Sequence, residues 1–309
     1  MMKPLGPVTA VVLHFRTPAK TLDCLESLHR EGVSRVVLVD NSADGGASIA
    51  AIRAELNALS EAGLFVQLVS AVDNLGFSRG VALGVENALN SGPVDLLLLN
   101  SDAKLEPGSL ALLAQSESSA DIVVPRVRRA PGEKLHSLIG YYHRSLGLVL
   151  ERPVQGAIRY PSGCCMLIRS SYFPRRLFDL SFFFYGEDVE LGAFLERQGV
   201  SFGECRKAAI VHSGSGSAKN GSLFYEYHIN RGHWLLGSKL AKTVPERLIF
   251  LAGRCLSLPL RAVLRSTRLR SWAPIHGLIA ASVDVIQGKC RSFTPPLTEQ
   301  GGWGFSHRK

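Results

Sequence analysis

Five polar groups in this sequence have residue types and settings that could do chemistry. Three stand at the ends of apolar runs: Asp40-Asn41-Ser42, Asp73-Asn74 with Gly76 and Gly80, and Asn100-Ser101-Asp102. A carboxylate at the end of a buried strand suits a hard cation, because Mg²⁺ and Mn²⁺ take oxygen ligands and leave room for substrate phosphates. Asp102 is the best candidate for that role. The fourth group is Glu187-Asp188, with Glu190, after the aromatic run 182–185. Acids in a first helical turn favour the helix dipole. Two adjacent carboxylates beside an aromatic wall also fit a general base of raised proton affinity. The fifth is His212, which follows a short apolar run and precedes a Gly/Ser loop. There an imidazole can contact a ligand or a phosphate. No G-x-G-x-x-G or G-x-x-x-x-G-K-[ST] loop is present, so a bound diphosphate would need a metal, basic side chains or both.

The elements that must position these groups follow from hydrophobic spacing. Short apolar runs at 8–13, 33–39, 64–69, 94–99 and 121–125 alternate with helical patterns at 18–30, 47–62, 77–90 and 107–116. Runs apolar on both faces, separated by helices, predict a parallel sheet with βαβ crossovers. In open α/β sheets ligands bind beyond the carboxyl ends of the strands, where the first three clusters fall. Each cluster alone also fits a helix cap. Three in one half-sheet point instead to a shared polar crevice.

The second half reads less regularly. A strand over 160–169 is broken at Ser162-Gly163, and a helix over 187–198 stops at Gly199. A short strand at 208–212 leads into a Gly/Ser loop through Ser217, and a helix covers 222–236. From 241 onward Arg254, Arg261, Arg265, Arg268 and Arg270 interleave with Leu, Val and Ile. That basic amphipathic pattern is interrupted by Pro245, Pro259 and Pro274. Residues 292–309, rich in Gly, Pro and polar types, predict a loose tail.

Composition narrows the classes. With 46% hydrophobic residues among 309, a sizeable core forms and disorder over most of the length is excluded. Charge is unevenly placed: residues 239–309 hold twelve Lys/Arg against three Asp/Glu, so the whole net charge of +9 lies there. A basic segment on a neutral body suggests an anionic surface as partner. The first seven residues hold no apolar segment of a secretory signal, and no apolar stretch reaches the roughly 18–20 residues of a spanning helix. None of the six cysteines forms a C-x-x-C pair, so reduced thiols in a cytoplasmic protein are expected.

The motifs, taken in order, carry a specific resemblance. They are Val36-Val37-Leu38-Val39-Asp40-Asn41-Ser42, Asn74-Leu75-Gly76-Phe77-Ser78-Arg79-Gly80, and Leu97-Leu98-Leu99-Asn100-Ser101-Asp102 with Pro107. Ser162-Gly163-Cys164-Cys165, Phe178-Asp179, Phe183-Phe184-Tyr185-Gly186-Glu187-Asp188, His212 with 214–217, and Tyr227-His228-Ile229-Asn230-Arg231 follow. The chain resembles a family 2 glycosyltransferase of the GT-A fold, and within it the bacterial rhamnosyltransferase-type enzymes, over residues 8–235.

The resemblance implies an α/β fold with a mixed, mainly parallel sheet flanked by helices. It implies a GT-A domain at 1–238, a basic helical extension at 239–291 and the tail at 292–309. Asp40 would contact the nucleoside; Asn74, Gly76 and Arg79 would line the nucleotide site together with Asn100 and Asp102. Asp102 would bind a Mg²⁺ or Mn²⁺ ion bridging the diphosphate, with His212 as a further ligand. Asp188 would deprotonate the acceptor hydroxyl, with Glu187 beside it. The implied reaction is a single inverting transfer of a sugar, rhamnose from a dTDP donor, to a saccharide or lipid-linked acceptor. This sequence departs from its relatives at Asn100, where they carry a carboxylate, at Glu190, where they carry Asp, and at Phe194, where they carry Arg; Arg197 stands one turn on.

Two readings of the basic extension stay open. Its arginines would meet anionic headgroups at the inner face of the cell membrane while Leu, Val and Trp272 enter the interface. Alternatively the extension caps the domain and solvates its basic face. A catalytically degenerate nucleotide-binding module is the alternative to an enzyme, motivated by Asn100 and Phe194. Nucleic acid is not expected as a partner, because no recognised motif or aromatic stacking platform accompanies the basic segment.

Overall fold

The computed structural model describes residues 8–90, 92–116, 120–173, 175–212 and 220–291. The loop expected at 214–217 and the tail expected at 292–309 lie outside them. The chain opens as β1 (Val8–His14), α1 (Pro18–Arg30), β2 (Arg35–Asp40), α2 (Ala47–Glu61), β3 (Phe65–Ser70), α3 (Gly76–Leu89) and β4 (Asp95–Asn100). These strands pair parallel in the order β3-β2-β1-β4. β1 and β2 are buried nearly end to end, as runs apolar on both faces require. β3 is the edge strand and is half-buried, which fits its mixed sequence.

β5 (Ala103–Leu105), α4 (Ser109–Ala114), β6 (Ile122–Arg128) and the two-residue β7 (His136–Ser137) follow. β8 (Ile139–His143), β9 (Leu148–Leu150) and β10 (Ile158–Pro161) make a separate antiparallel sheet in the order β10-β8-β9. Then come β11 (Cys165–Ile168), α5 (Glu187–Gln198) and β12 (Phe202–His212). β11 inserts antiparallel between β4 and β6, and β12 runs parallel to β6 with β5 on its far edge. The sheet is thus mixed and mainly parallel, with helices on its faces. The main core lies on both sides of it, around Val11, Val37, Leu98, Val123 and Leu167.

Two expectations need correction here. The strand read as 160–169 with a break is two strands in two different sheets, β10 and β11, and Ser162-Gly163 is where the chain crosses between them. The short strand at 208–212 is the end of the eleven-residue β12, whose first half carries Glu204, Arg206 and Lys207 and so hid its strand pattern. Strands β7, β8 and β9, within 136–150, were not anticipated, because runs of two to five residues are too short to show a period.

α6 (Leu223–Lys239), α7 (Val244–Leu269) and α8 (Ala273–Ile286) build a helical layer. α7 continues unbroken through Pro259. That proline leaves the carbonyl of Cys255 without its helical donor, and both residues are exposed, so water can satisfy it. Pro245 and Pro274 sit in the first turns of α7 and α8, where a missing N–H costs nothing. None of the three interrupts a helix.

The layer reverses the expected polarity. Arg254 is fully buried and donates to the carbonyls of His233 (2.6 Å), Phe250 (2.8 Å) and Arg144 (2.9 Å). Arg261 reaches Asn230 Oδ1 and Arg265 reaches Glu226 Oε1, both on α6. These three arginines therefore face inward, Arg254 completely and the other two for most of their surface, while Leu256, Leu260 and Leu264 face out. Arg268 and Arg270 stay exposed. The reason lies in α6, whose buried face is polar: Glu226, His228, Asn230 and His233 all lie inside. A buried carboxylate and a row of helical carbonyls need cationic donors more than they need leucines.

Candidate active site

Strand register assembles the site. Leu13 lies opposite Asn100 and His14 opposite Asp40, so the carboxyl ends of β2, β1 and β4 line up. The β5–β12 pairing sets His212 opposite Ala103, next to Asp102. His212 Nε2 then donates to Asp102 Oδ1 at 3.0 Å. Two residues 110 apart in sequence meet because a three-residue strand turns back beside β12.

The turn before α3 is stapled from β2. Asn41 Nδ2 donates to Asn74 Oδ1 and to the Gly76 carbonyl, each at 3.1 Å, while its Oδ1 accepts from the Leu75 N–H at 2.8 Å. Gly76 has φ +73°, and a Cβ there would sit 2.3 Å from the Phe183 carbonyl oxygen. Only glycine fits such a left-handed and crowded position. The Phe77 N–H donates to that same carbonyl at 2.7 Å. The aromatic run 182–185 is thereby pinned over the strand ends.

The result is a cavity of about 220 Å³ lined by Asn41, Asn74, Gly76, Asn100, Ser101, Asp102 and His212, with Phe15, Phe77, Phe183, Phe184, Tyr185 and Phe224 as its apolar walls. Of the sequence-predicted residues, Asn74, Gly76, Asn100, Asp102 and His212 line it together. Asp40 and Arg79 do not. Asp40 is buried at the end of β2, where its Oδ1 accepts from the Ser42 N–H at 3.1 Å. Arg79 Nε donates to the Leu180 carbonyl at 3.1 Å, which ties α3 to the aromatic run.

The donor set fits a hard cation in part. Asp102 and His212 supply one carboxylate oxygen and one imidazole, both still partly open. Among the described residues no group of three His, Cys, Asp or Glu could hold a metal by itself. A Mg²⁺ or Mn²⁺ ion here would take its remaining ligands from a diphosphate and water, which is how such ions are usually held. Burial alone would lower the His212 pKa, but the Asp102 carboxylate and Cys164 raise it to about 10. Without a cation the ring is therefore a charged partner of Asp102.

Glu187 and Asp188 open α5 beside a second cavity of about 140 Å³, lined also by Tyr142, Val149, Tyr160 and His233. Tyr185 lines both cavities and so stands between them. It has φ +65°, rare for an aromatic residue, and Gly186 continues the turn at φ +99°. This double left-handed step ends the aromatic run and aims the first turn of α5 back at the sheet. Asp188 Oδ1 accepts from the Gly163 N–H at 2.9 Å. A Cβ on Gly163 would lie 2.8 Å from that oxygen and 3.1 Å from Phe77, so the carboxylate sits close behind the wall of the first cavity. Burial raises the proton affinity of Asp188 against the pull of Gly163 and Ser162. Burial and the charge of Asp188 raise that of Glu187 as well. Glu187 Oε2 is buried without a hydrogen-bond partner among the described residues.

Glu190 faces away from this chemistry. It is buried and held by Arg176 at 2.8 and 2.7 Å and by Arg197 at 3.1 Å. Arg176 also stacks on Phe194, 4.3 Å from its ring centre. Arg197, one turn beyond Phe194, is one of the two arginines that hold Glu190, while Arg176, from a loop fourteen residues upstream, gave no local signal. Asn41 was visible inside its motif, but its role as a staple needed the fold.

No known family profile matches the chain. The low-salt glycan biosynthesis hexosyltransferase Agl10 of Haloferax volcanii is 24% identical over 193 residues, covering 59% of this chain. The match spans 60% of that protein's length. A mannosyltransferase from Pyrobaculum calidifontis, solved with GDP-Man and Mn²⁺, superposes with a TM-score of 0.55 at 15% identity, over 93% of this chain and 88% of that one. GalNAc-T7, solved with UDP, GalNAc and Mn²⁺, superposes with a TM-score of 0.55 at 13% identity, over 81% of this chain and 54% of that one. The fold is GT-A. That expectation from the motifs is borne out, and the two cavities belong to a GT-A frame.

Proposed function

We propose that this protein is a glycosyltransferase that takes a sugar from a nucleotide-sugar donor in the first cavity and passes it to an acceptor hydroxyl presented from the second. The observation that carries this reading is the meeting of Asn74, Gly76, Asn100, Asp102 and His212 in one crevice beyond the carboxyl ends of β1, β2 and β4. Agl10 is a hexosyltransferase, and the two solved relatives hold GDP-Man or UDP with Mn²⁺.

In this reading the nucleotide lies along Asn74 and Gly76, with Asp40 and Arg79 supporting the loops around it. Asp102 and His212 would hold a Mg²⁺ or Mn²⁺ ion, which would supply positive charge to offset that of the departing diphosphate. Asp188 takes the proton from the acceptor hydroxyl, a task its raised proton affinity suits. Glu187, whose proton affinity burial and the neighbouring Asp188 also raise, stands beside this base. The aromatic run and Tyr185 keep donor and acceptor apart until they are in line and exclude water from the gap. The motifs favour rhamnose from a dTDP donor, an inverting displacement and an acceptor that is a saccharide or is lipid-linked at the inner face of the membrane.

Calorimetric binding of dTDP, UDP and GDP, each with Mn²⁺ and then with EDTA, tests the donor site. One nucleotide binding only with Mn²⁺ supports it; no binding under either condition refutes it. The single carboxylate at Asp102, with Asn100 beside it, favours a second reading as a nucleotide-binding module without turnover. Metal-dependent release of nucleoside diphosphate in the presence of acceptor excludes that reading.

A further inference from the structure

Among the described residues no helix is long and apolar enough to cross a membrane. Yet the outer side of the helical layer is apolar. Leu248, Leu256 (75% exposed), Leu260 (61%) and Leu264 recur along one face of α7, and Ile279 and Ile286 (85%) continue it on α8. From Leu248 to Leu264 this face runs about 24 Å along the 26-residue α7. Proteins that stay free in water rarely leave an apolar surface of this extent uncovered. The inner face cannot use these side chains, because Arg254, Arg261, Arg265, Leu258 and Ala262 already fill it.

Charge selects the occupant. Lys242, Arg247, Arg268 and Arg270 are exposed around this face. The two carboxylates of α7 and α8 are both engaged within the chain: Glu246 accepts from the Lys242 N–H, and buried Asp284 holds Tyr227 and Arg291. A second copy brought onto this face would set cations against cations. Anionic lipid headgroups around an apolar interior complement it. Trp272, 70% exposed at the turn between the two helices, is the residue type that settles at such a boundary.

The face also leads to the second cavity. Arg254 binds the Arg144 and Ser145 carbonyls and so docks the β8–β9 turn onto α7. That turn and β9 expose Leu146, Leu148 and Val149, and Val149 lines the cavity that holds Asp188. We propose that the outer face of α7 and α8 lies in the headgroup boundary of an anionic bilayer and sets the rim of the Asp188 cavity at the lipid surface. The inserting residues are Leu248, Leu256, Leu260 and Leu264, and the docking is monotopic. The membrane placement stands on this surface alone; the link to catalysis rests on the second cavity being the acceptor site.

The test is co-sedimentation of the full chain with phosphatidylglycerol/phosphatidylethanolamine vesicles and with pure phosphatidylcholine vesicles. Wild type partitions to the anionic vesicles. Leu256→Glu with Leu260→Glu lowers that partitioning at least about tenfold. Arg268→Ala with Arg270→Ala lowers it about tenfold and flattens its salt dependence. Both pairs keep the wild-type thermal midpoint and nucleotide affinity. Failure of wild type to bind anionic vesicles overturns the proposal, as does unchanged binding of the Leu256/Leu260 pair. So does sedimentation velocity showing a wild-type dimer that this pair dissolves without any lipid binding. Absence of nucleotide binding in parallel calorimetry would sink the glycosyltransferase reading and leave the membrane result standing.

Discussion

The parallel half-sheet and the C-terminal helical layer solve the same problem with opposite polarity. β1, β2 and β4 bury continuous apolar runs and deliver their polar residues only where each strand ends. α6 to α8 bury Glu226, His233 and Arg254 among helical carbonyls and turn leucines outward. A period in the sequence identifies a face; what waits on the neighbouring element decides which way that face points. Next to an apolar sheet the leucines go in. Next to a helix with a buried carboxylate the arginines go in.

The largest expected effect separates the two cavities. Asp188→Asn lowers kcat by about 1000-fold while dTDP, UDP or GDP affinity stays unchanged, as measured by nucleotide release and calorimetry. Full turnover of this variant would remove the assignment of the base. Next is the hub of the helical layer. Arg254→Met leaves buried carbonyls without donors and costs about 3 kcal/mol of stability by denaturant unfolding, with nucleotide affinity intact. A smaller change belongs to the donor side alone: Asp102→Ala weakens Mn²⁺-dependent nucleotide binding by about 10–100-fold and leaves the unfolding midpoint in place.

The smallest effect is acid sensitivity confined to α6. Burial lowers the pKa of His228 and of His233 to about 3, with Arg261 and Arg254 adding to the second. Below about 6.5 the unfolded chain binds a proton at each that the native chain refuses. The contribution of these two rings is therefore full above about pH 6.5 and is lost as pH falls below it, while the raised proton affinities of Glu187 and Asp188 pull the other way. Urea unfolding at pH 7 and pH 5 checks the slope, and His233→Gln should remove part of it.

The donor half was legible because its signals are local. Strand ends, the glycine at position 76 and the polar residues that follow each run all lie within a few residues of the elements they serve. The pairing of Asp102 with His212 needed β5, a strand of three residues that no period can reveal. The bond from Asp188 to Gly163 needed the crossing between two sheets. The inward arginines were hidden for a different reason. Their spacing is the same whether they face lipid, water or a buried glutamate, and only the polar content of α6 distinguishes these. Glu226 and Asn230 were present in the sequence as that clue.

Arg254 ties α6, α7 and the β8–β9 turn through one guanidinium. Those three segments consequently move as a single block, since loosening any of them would strand several carbonyls at once. A hinged lid is thus the wrong picture for the wall of the Asp188 cavity. Traffic through it has to use a standing doorway, and amide hydrogens of α7 near residue 254 should exchange only on global unfolding.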